Sequence, residues 1–447
     1  MNETRYETKP IECWNKMKEL RRARFRNNWE AHKRGDLVIM GMHMGMKALW
    51  AGFGNYAVMS LSPYWTGIKR DMTQLLDVLE DIEFRGYGRQ VCGALRIHLY
   101  QYFKGTAVIS PKGEKMLPDF IWQNNFCPQV SKLAYHISQE LGVPYLFAES
   151  PAAGDTDRIR KYMVSQLFDV IEQAEKITGR KYDDEKLIES TRYEVQTYKL
   201  VSEICMMNKN IPAPLHGRQL ASLNLVATNG AHTKESVSFY KELLDEVTFR
   251  AQKGIAGSAV EKMRLSMESF PWPYPEFFKY PEFYGAAVIA GDHLFLNAQF
   301  EKGENGEWVP RKEADEICAN LKTREDALNA LAWLWLAGIG VNHHGVQNWN
   351  IEKTVEYPIR MARDWKCDGM ILSANLDCWQ QMHYGMETKL LADKLGIPNM
   401  LFYSILGDVR QFDRNIVRKQ FDEFLIKRLG LTKIENETGE ADNGDME

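Results

Sequence analysis

Short apolar runs and longer 3.6-periodic stretches alternate along most of this chain. "DLVIMGMH" (residues 36–43), "YAVMSL" (56–61) and "DFIWQNNF" (119–126) have the length and apolar cores of buried strands. "DMTQLLDVLEDIEF" (71–84) and "PQVSKLAYHISQEL" (128–141) carry the helical period, the second with Pro128 in its first turn. "GVPYLFAES" (142–150) follows as the next strand, so residues 119–150 predict a strand–helix–strand unit with parallel pairing. The same plan returns later. "DGMILSAN" (368–375), "WQQMHYGMETKLLADKL" (379–395) and "IPNMLFYSI" (397–405) form a second such unit, and "ELGVPYLFAES" (140–150) is echoed by "KLGIPNMLFYS" (394–404).

Between the two units, residues 157–257 are helical in pattern, interrupted at "IPAPLHG" (211–217). The strands "MRLSMES" and "GAAVIAGD" then open a second α/β region. The expected fold is α/β: two doubly wound, Rossmann-like parallel-sheet lobes joined by a helical segment. The expected division is residues 1–156 (N-terminal helical region and first lobe), 157–257 (helical connection), 258–432 (second lobe) and 433–447. The last is an acidic tail without bulky apolar residues, expected to be disordered.

Composition narrows the function classes. Of 447 residues, 45% are hydrophobic and 26% charged, and the net charge is −4. Nothing here calls for nucleic acid or an anionic membrane as the main partner. The first residues lack an apolar signal core, and no run reaches the ~18–20 apolar residues of a spanning helix, so a soluble cytoplasmic protein is expected. "ALNALAWLWLAGIGV" (327–341) reads as a buried helix, and the basic stretch from Arg21 to Lys33 as a solvated helix face. Met40, Met42, Met44 and Met46 alternate as core-filling residues do.

The seven cysteines are scattered, without a CxxC pair, so any metal site must be assembled from distant segments. Cys127 and Cys378 occupy the same place in the two repeated units, at the carboxyl end of a strand, where open parallel sheets bind ligands. Cys92 stands at the start of the helix in "GYGRQVCGALRIHLYQYF". Three converging thiolates suit zinc or an iron–sulfur cluster; a lone cysteine is otherwise a small buried hydrophobe. Cys13, Cys205, Cys318 and Cys367 read as packing residues. His343 and His344, adjacent in "NHHGVQNWN", suggest a loop beside the cleft with one histidine as proton donor, or a metal pair. Trp272 in "FPWPYPEFF" lines an apolar substrate slot or belongs to a rigid packed loop. Arg410, just past a strand end, meets a phosphate, braces the cleft or forms a surface ion pair. Neither a GxxxxGK phosphate loop nor a GxGxxG turn is present.

Taken together, "VCGALR", "NNFCPQVSKLAYHISQELGVPYL", "ITGRKYDDEKL", "RLSMESFPWPY", "CDGMILSANLDC" and "GIPNMLF" followed by "GDVRQF" resemble the benzoyl-CoA reductase and 2-hydroxyacyl-CoA dehydratase family, from about Gly86 to Phe424. Within it the pattern is most similar to the B subunits of ATP-dependent benzoyl-CoA reductases. The resemblance implies a 4Fe–4S cluster held by Cys92, Cys127 and Cys378. It also implies an acyl-CoA substrate, a related cluster-bearing partner subunit, and a separate ATP-hydrolysing iron–sulfur activator as electron donor. In the reductase branch, single electrons and protons convert the thioester-activated ring to a cyclic diene; in the dehydratase branch, a ketyl radical expels hydroxide. Pro128, where the dehydratases often carry aspartate, leans towards the reductases. The Asp408-Val409-Arg410 turn departs from the usual Asp-Pro-Arg. Tyr87, Trp272, His343 and His344 are pocket candidates that no motif assigns. A two-lobed small-molecule binding protein without a cluster is the alternative from another class.

Overall fold

The computed structural model describes residues 4–41, 46–60, 72–104, 113–125, 127–149, 156–268, 275–337 and 351–434. Two four-stranded parallel sheets organise it. The first runs β2 (Tyr56–Ser60), β1 (Leu37–Gly41), β3 (Phe120–Asn124), β4 (Tyr145–Ala148) in that spatial order. Every residue of β1 and β3 is buried, which is why β1 reads as an unbroken apolar run and β3 opens on three large apolar residues before the buried Gln123 and Asn124. Trp50 packs against Phe120 and Trp122 on one face of this sheet, with ring centroids 5.1 and 5.3 Å away.

The second sheet runs β10 (Asn399–Ser404), β9 (Gly369–Asn375), β5 (Met263–Glu268), β6 (Ala286–Ala290), again all parallel. The expected α/β architecture with two parallel sheets is therefore present. A short antiparallel pair, β7 (Phe300–Lys302) with β8 (Trp308–Pro310), is an addition that the apolar pattern does not announce, because each strand spans only three residues.

Four long helices fill the middle: Asp157–Thr178, Asp184–Met207, Gly217–Gly230 and Lys234–Lys253. Each begins where a polar side chain satisfies free backbone N–H groups: Thr156, Asp183, His216 and Thr233 accept from the first turn. The helix Asp184–Met207 is a spine between the sheets. Midway along it, Glu194 accepts the backbone N–H groups of Lys47 (3.2 Å) and Ala48 (2.7 Å) beside the first sheet. Near its end, the Cys205 carbonyl accepts from the Trp365 indole (3.1 Å), and the Asn208 carbonyl just beyond accepts from Arg264 of β5 (2.7 Å). The closing helix, Arg414–Glu423, passes into a π turn at Phe424–Arg428. No helix among the described residues is long and apolar enough to cross a membrane.

Candidate functional site at the meeting of two sheets

Three helices begin with a cysteine. Cys92, Cys127 and Cys378 are the N-cap residues of Gly93–Phe103, Pro128–Leu141 and Trp379–Lys394, and none of these helices has a side-chain cap. Cys127 follows β3 and Cys378 follows β9, each an interior strand of its sheet. The free N–H groups of a helical first turn suit a sulfur anion. That pull is at work here: the nearby first-turn N–H groups of Leu95 on Cys92, and of Val130 and Gln129 on Cys127, work against the effect of burial on each thiol without forming a full cap.

The three thiols share one neighbourhood. Burial pushes the Cys92 thiol well up; the Asp377 carboxylate, Cys378 and Cys127 push it further. Cys378 and Cys127 are thus both within electrostatic reach of Cys92, although they come from different sheets. Gln129, in the first turn after Cys127, accepts the Cys92 backbone N–H at 2.9 Å. Among the described residues no three His, Cys, Asp or Glu side chains close on a point that could hold one metal ion. Thiolates of a multi-iron cluster surround a volume instead, each on a different iron. A buried, apolar setting with backbone N–H donors aimed at sulfur suits that donor set.

The contact between the sheets is built around Asp377, next to Cys378. Its two carboxylate oxygens accept the backbone N–H groups of Gly93, Leu406, Gly407 and Asp408, at 2.6–3.3 Å. Gly93 and Gly407 allow this approach: a Cβ at Gly93 would strike the Asp377 carboxylate and the Asp408 backbone, and one at Gly407 would strike the backbone of Gly93 and Ala94. A fully buried ion pair lies beside it, Arg96 to Asp408 at 2.7 Å. Burial raises the Asp408 carboxyl, but hydrogen bonds from Arg410 and Arg96 outweigh it and hold it well below the usual carboxylate range. Glu83 completes the network through Arg96 (2.8 Å) and Arg410.

The sequence candidates are placed as follows. Cys92, Cys127 and Cys378 come together. Arg410 is occupied by Asp408 and Glu83, on the bracing side of the readings open to it. Tyr87 is half-buried and packs on Phe103, centroids 5.8 Å apart. Trp272, His343 and His344 lie outside the described residues, as do Met42, Met44 and the tail 435–447. Asp377, Gln129 and the Arg96–Asp408 pair were not foreseen. An aspartate directly before a candidate ligand was the one available signal; its four N–H partners span up to 284 residues of separation.

Comparison with known proteins places the chain in a family. Residues 63–425 match the family model described as 2-hydroxyglutaryl-CoA dehydratase, D-component. The chain is 30% identical over 205 residues to the (R)-phenyllactyl-CoA dehydratase alpha subunit of Clostridium sporogenes, covering 44% of this chain and 49% of that protein. The match thus spans about half of that relative's length. It is 23% identical over 383 residues to the (R)-2-hydroxyisocaproyl-CoA dehydratase alpha subunit of Clostridioides difficile, covering 83% of this chain and 84% of that one. It is also 22% identical over 367 residues to the B subunit of benzoyl-CoA reductase from Thauera aromatica, covering 78% of each.

Proposed function

The chain belongs to the 2-hydroxyglutaryl-CoA dehydratase D-component family, and from that premise we propose that it is the cluster-bearing subunit of an enzyme acting on CoA thioesters by single-electron chemistry. Within that class, we read it as an aromatic acyl-CoA reductase of the benzoyl-CoA type. The observation that carries the reading is the convergence of Cys92, Cys127 and Cys378 where the two sheets meet. These three would hold a 4Fe–4S cluster through three of its irons. When bound, such a group supplies single electrons at low potential.

The chain's own residues do the rest. The first-turn N–H groups of Leu95, Gln129 and Val130 stabilise negative charge on sulfur. Asp377 and the Arg96–Asp408–Arg410–Glu83 network hold the two sheets in register, so that Cys378 stays opposite Cys92 and Cys127. Burial of Cys92 keeps water from that thiol, while Cys127 and Cys378 are only half-buried. The relatives named above are alpha or B subunits, which supports a partner subunit here. A separate ATP-hydrolysing activator fits the absence of a phosphate loop in this sequence.

Pro128 after Cys127 supports the reductase branch. The 30% identity to a phenyllactyl-CoA dehydratase alpha chain favours the second reading, a 2-hydroxyacyl-CoA dehydratase. Anaerobic iron and acid-labile sulfide analysis of the chain purified with its partner tests the class. A colourless protein that stays iron-free after reconstitution overturns both enzyme readings. Turnover then separates the branches: cyclic dienoyl-CoA from benzoyl-CoA, or enoyl-CoA from a 2-hydroxyacyl-CoA.

A further inference from the structure

The basic stretch near the N-terminus is mostly exposed, as expected of a solvated face, but it also borders a cavity. In the helix Cys13–Arg34, Arg21, Arg24, Phe25 and Asn28 fall on one side at helical spacing. That side lines a cavity of about 1410 Å3, bounded also by the outer strand β2, the end of Gly217–Gly230 and the start of Lys234–Lys253. This exceeds the roughly 300–1,000 Å3 of ordinary small-molecule sites. None of Cys92, Cys127 and Cys378 lines it. Its walls include the residues leading into β2, at the end of the sheet opposite to the cysteines.

Arg24 is the feature without an internal explanation. It is half-buried, and its guanidinium lies over Gly230, where an added Cβ would strike it. Desolvation lowers its pKa, with only the Tyr56 hydroxyl opposing. Its titratable neighbours Lys47 and His232 offer it no counter-charge: Arg24 disfavours the charged form of each, and burial pushes the His232 imidazole well down. Lys47 has Glu194 as its counter-charge; Arg24 has no carboxylate partner among the described residues. A desolvated cation in that position is costly until an anion arrives. Arg21 and the exposed Lys234 add charge to the same walls, with no ion pairs of their own among the described residues; of the three lining acids, Asp36 and Glu189 are engaged by Arg34 and Tyr193, and Glu235 is left beside Lys234. The first turn of the 20-residue helix Lys234–Lys253, capped by Thr233, borders the cavity and brings Lys234 to it. Phe25, 49% exposed, and Trp29 give it an aromatic wall.

We propose that this cavity binds a purine nucleotide carrying two or more phosphates, with the phosphates at Arg24, Arg21 and the start of Lys234–Lys253, and the base against Phe25 and Trp29. Two sources share that chemistry: the nucleotide end of a CoA thioester, which rests on the function proposed above, and a free nucleotide, which does not.

Calorimetric titration of the anaerobic complex with CoA, ADP, inorganic pyrophosphate and adenosine tests it. CoA or ADP is expected to bind, pyrophosphate to compete and adenosine to fail. Arg24→Gln is expected to weaken binding by about tenfold or more. Arg21→Gln and Lys234→Gln, at the more exposed rim, keep the test valid if Arg24→Gln misfolds; each is expected to weaken binding and reduce its salt dependence. Competition between CoA and ADP assigns the site to the substrate; ADP binding unaffected by CoA assigns it to a free nucleotide. Cys378→Ala is expected to leave the affinity unchanged, so a failure of the cluster assignment and a failure of this one read differently. Absence of binding by both CoA and ADP, or affinities unmoved by all three variants, overturns the proposal.

Discussion

The units β3–helix–β4 and β9–helix–β10 share a plan and differ in what surrounds it. Both pair in parallel, both put a cysteine at the N-cap of the intervening helix, and both return through a Gly-Val/Ile-Pro phrase. In the first unit the residue beside the cysteine that reaches out is Gln129, which holds one N–H, that of Cys92. In the second it is Asp377, which holds four, from both sides of the contact. Topology positions two thiols in equivalent ways; of the two units, the second is the one whose residue beside the cysteine reaches across to the other sheet. Repetition is therefore a guide to where ligands sit and a poor guide to what keeps them opposite each other.

The equivalence of the two cysteines has the largest expected consequence. Cys127→Ala and Cys378→Ala should each abolish iron binding, and Cys92→Ala should do the same, measured as iron and sulfide per protein after anaerobic reconstitution. Retention of iron in either unit's variant breaks the symmetry and removes that cysteine from the ligand set.

The second expected effect belongs to the joint. Arg96→Met leaves the buried Asp408 carboxylate with Arg410 alone and should cost about 3 kcal/mol in denaturant unfolding. The pH dependence has a definite sign. The Asp408 carboxyl is held below its ordinary value of about 3.9, so its contribution is complete above that pH and is lost as pH falls towards the depressed value. Asp408→Asn should flatten the acid limb of the stability curve, followed by tryptophan fluorescence; an unchanged limb means the network does not bear on stability.

These residues show where sequence reading stops. The parallel strands were legible because burial on both faces leaves short apolar runs such as "LVIMG" and "FIW". The helical middle was legible from its period and from capping residues such as Asp183 and Thr233. The Arg21–Lys33 stretch is largely exposed, as its pattern suggested, but a basic helix pattern does not show that Arg24 is half-buried against segments 30 to 200 positions away. Arg410 could be matched to Asp408 from sequence, two residues off, but not to Glu83, 327 residues earlier. Cys127 and Cys378 were marked by the repeat. Cys92 had only its place at a helix start, and the resemblance supplied the rest.

A smaller difference should separate Asp377 from Gln129. Asp377→Asn sets an amide NH2 against backbone donors and should cost about 2 kcal/mol; Gln129→Ala removes one acceptor and should cost about 1 kcal/mol. Equal costs in thermal unfolding would mean that the four N–H groups find other acceptors and that Asp377 is no clamp.

The smallest effect tests the shared plan itself. Gly142 and Gly396 end the two intervening helices in the left-handed region, with φ of 65° and 68°. No atom lies within 4 Å of a Cβ built at either position, so an alanine there meets no obstacle. The cost is then the backbone penalty alone, about 1 kcal/mol for each. Gly142→Ala and Gly396→Ala should lower stability by the same amount and leave iron content untouched. If Gly396→Ala costs several times more than Gly142→Ala, the second unit is strained by its role at the joint, and the two copies are not equivalent even in their turns.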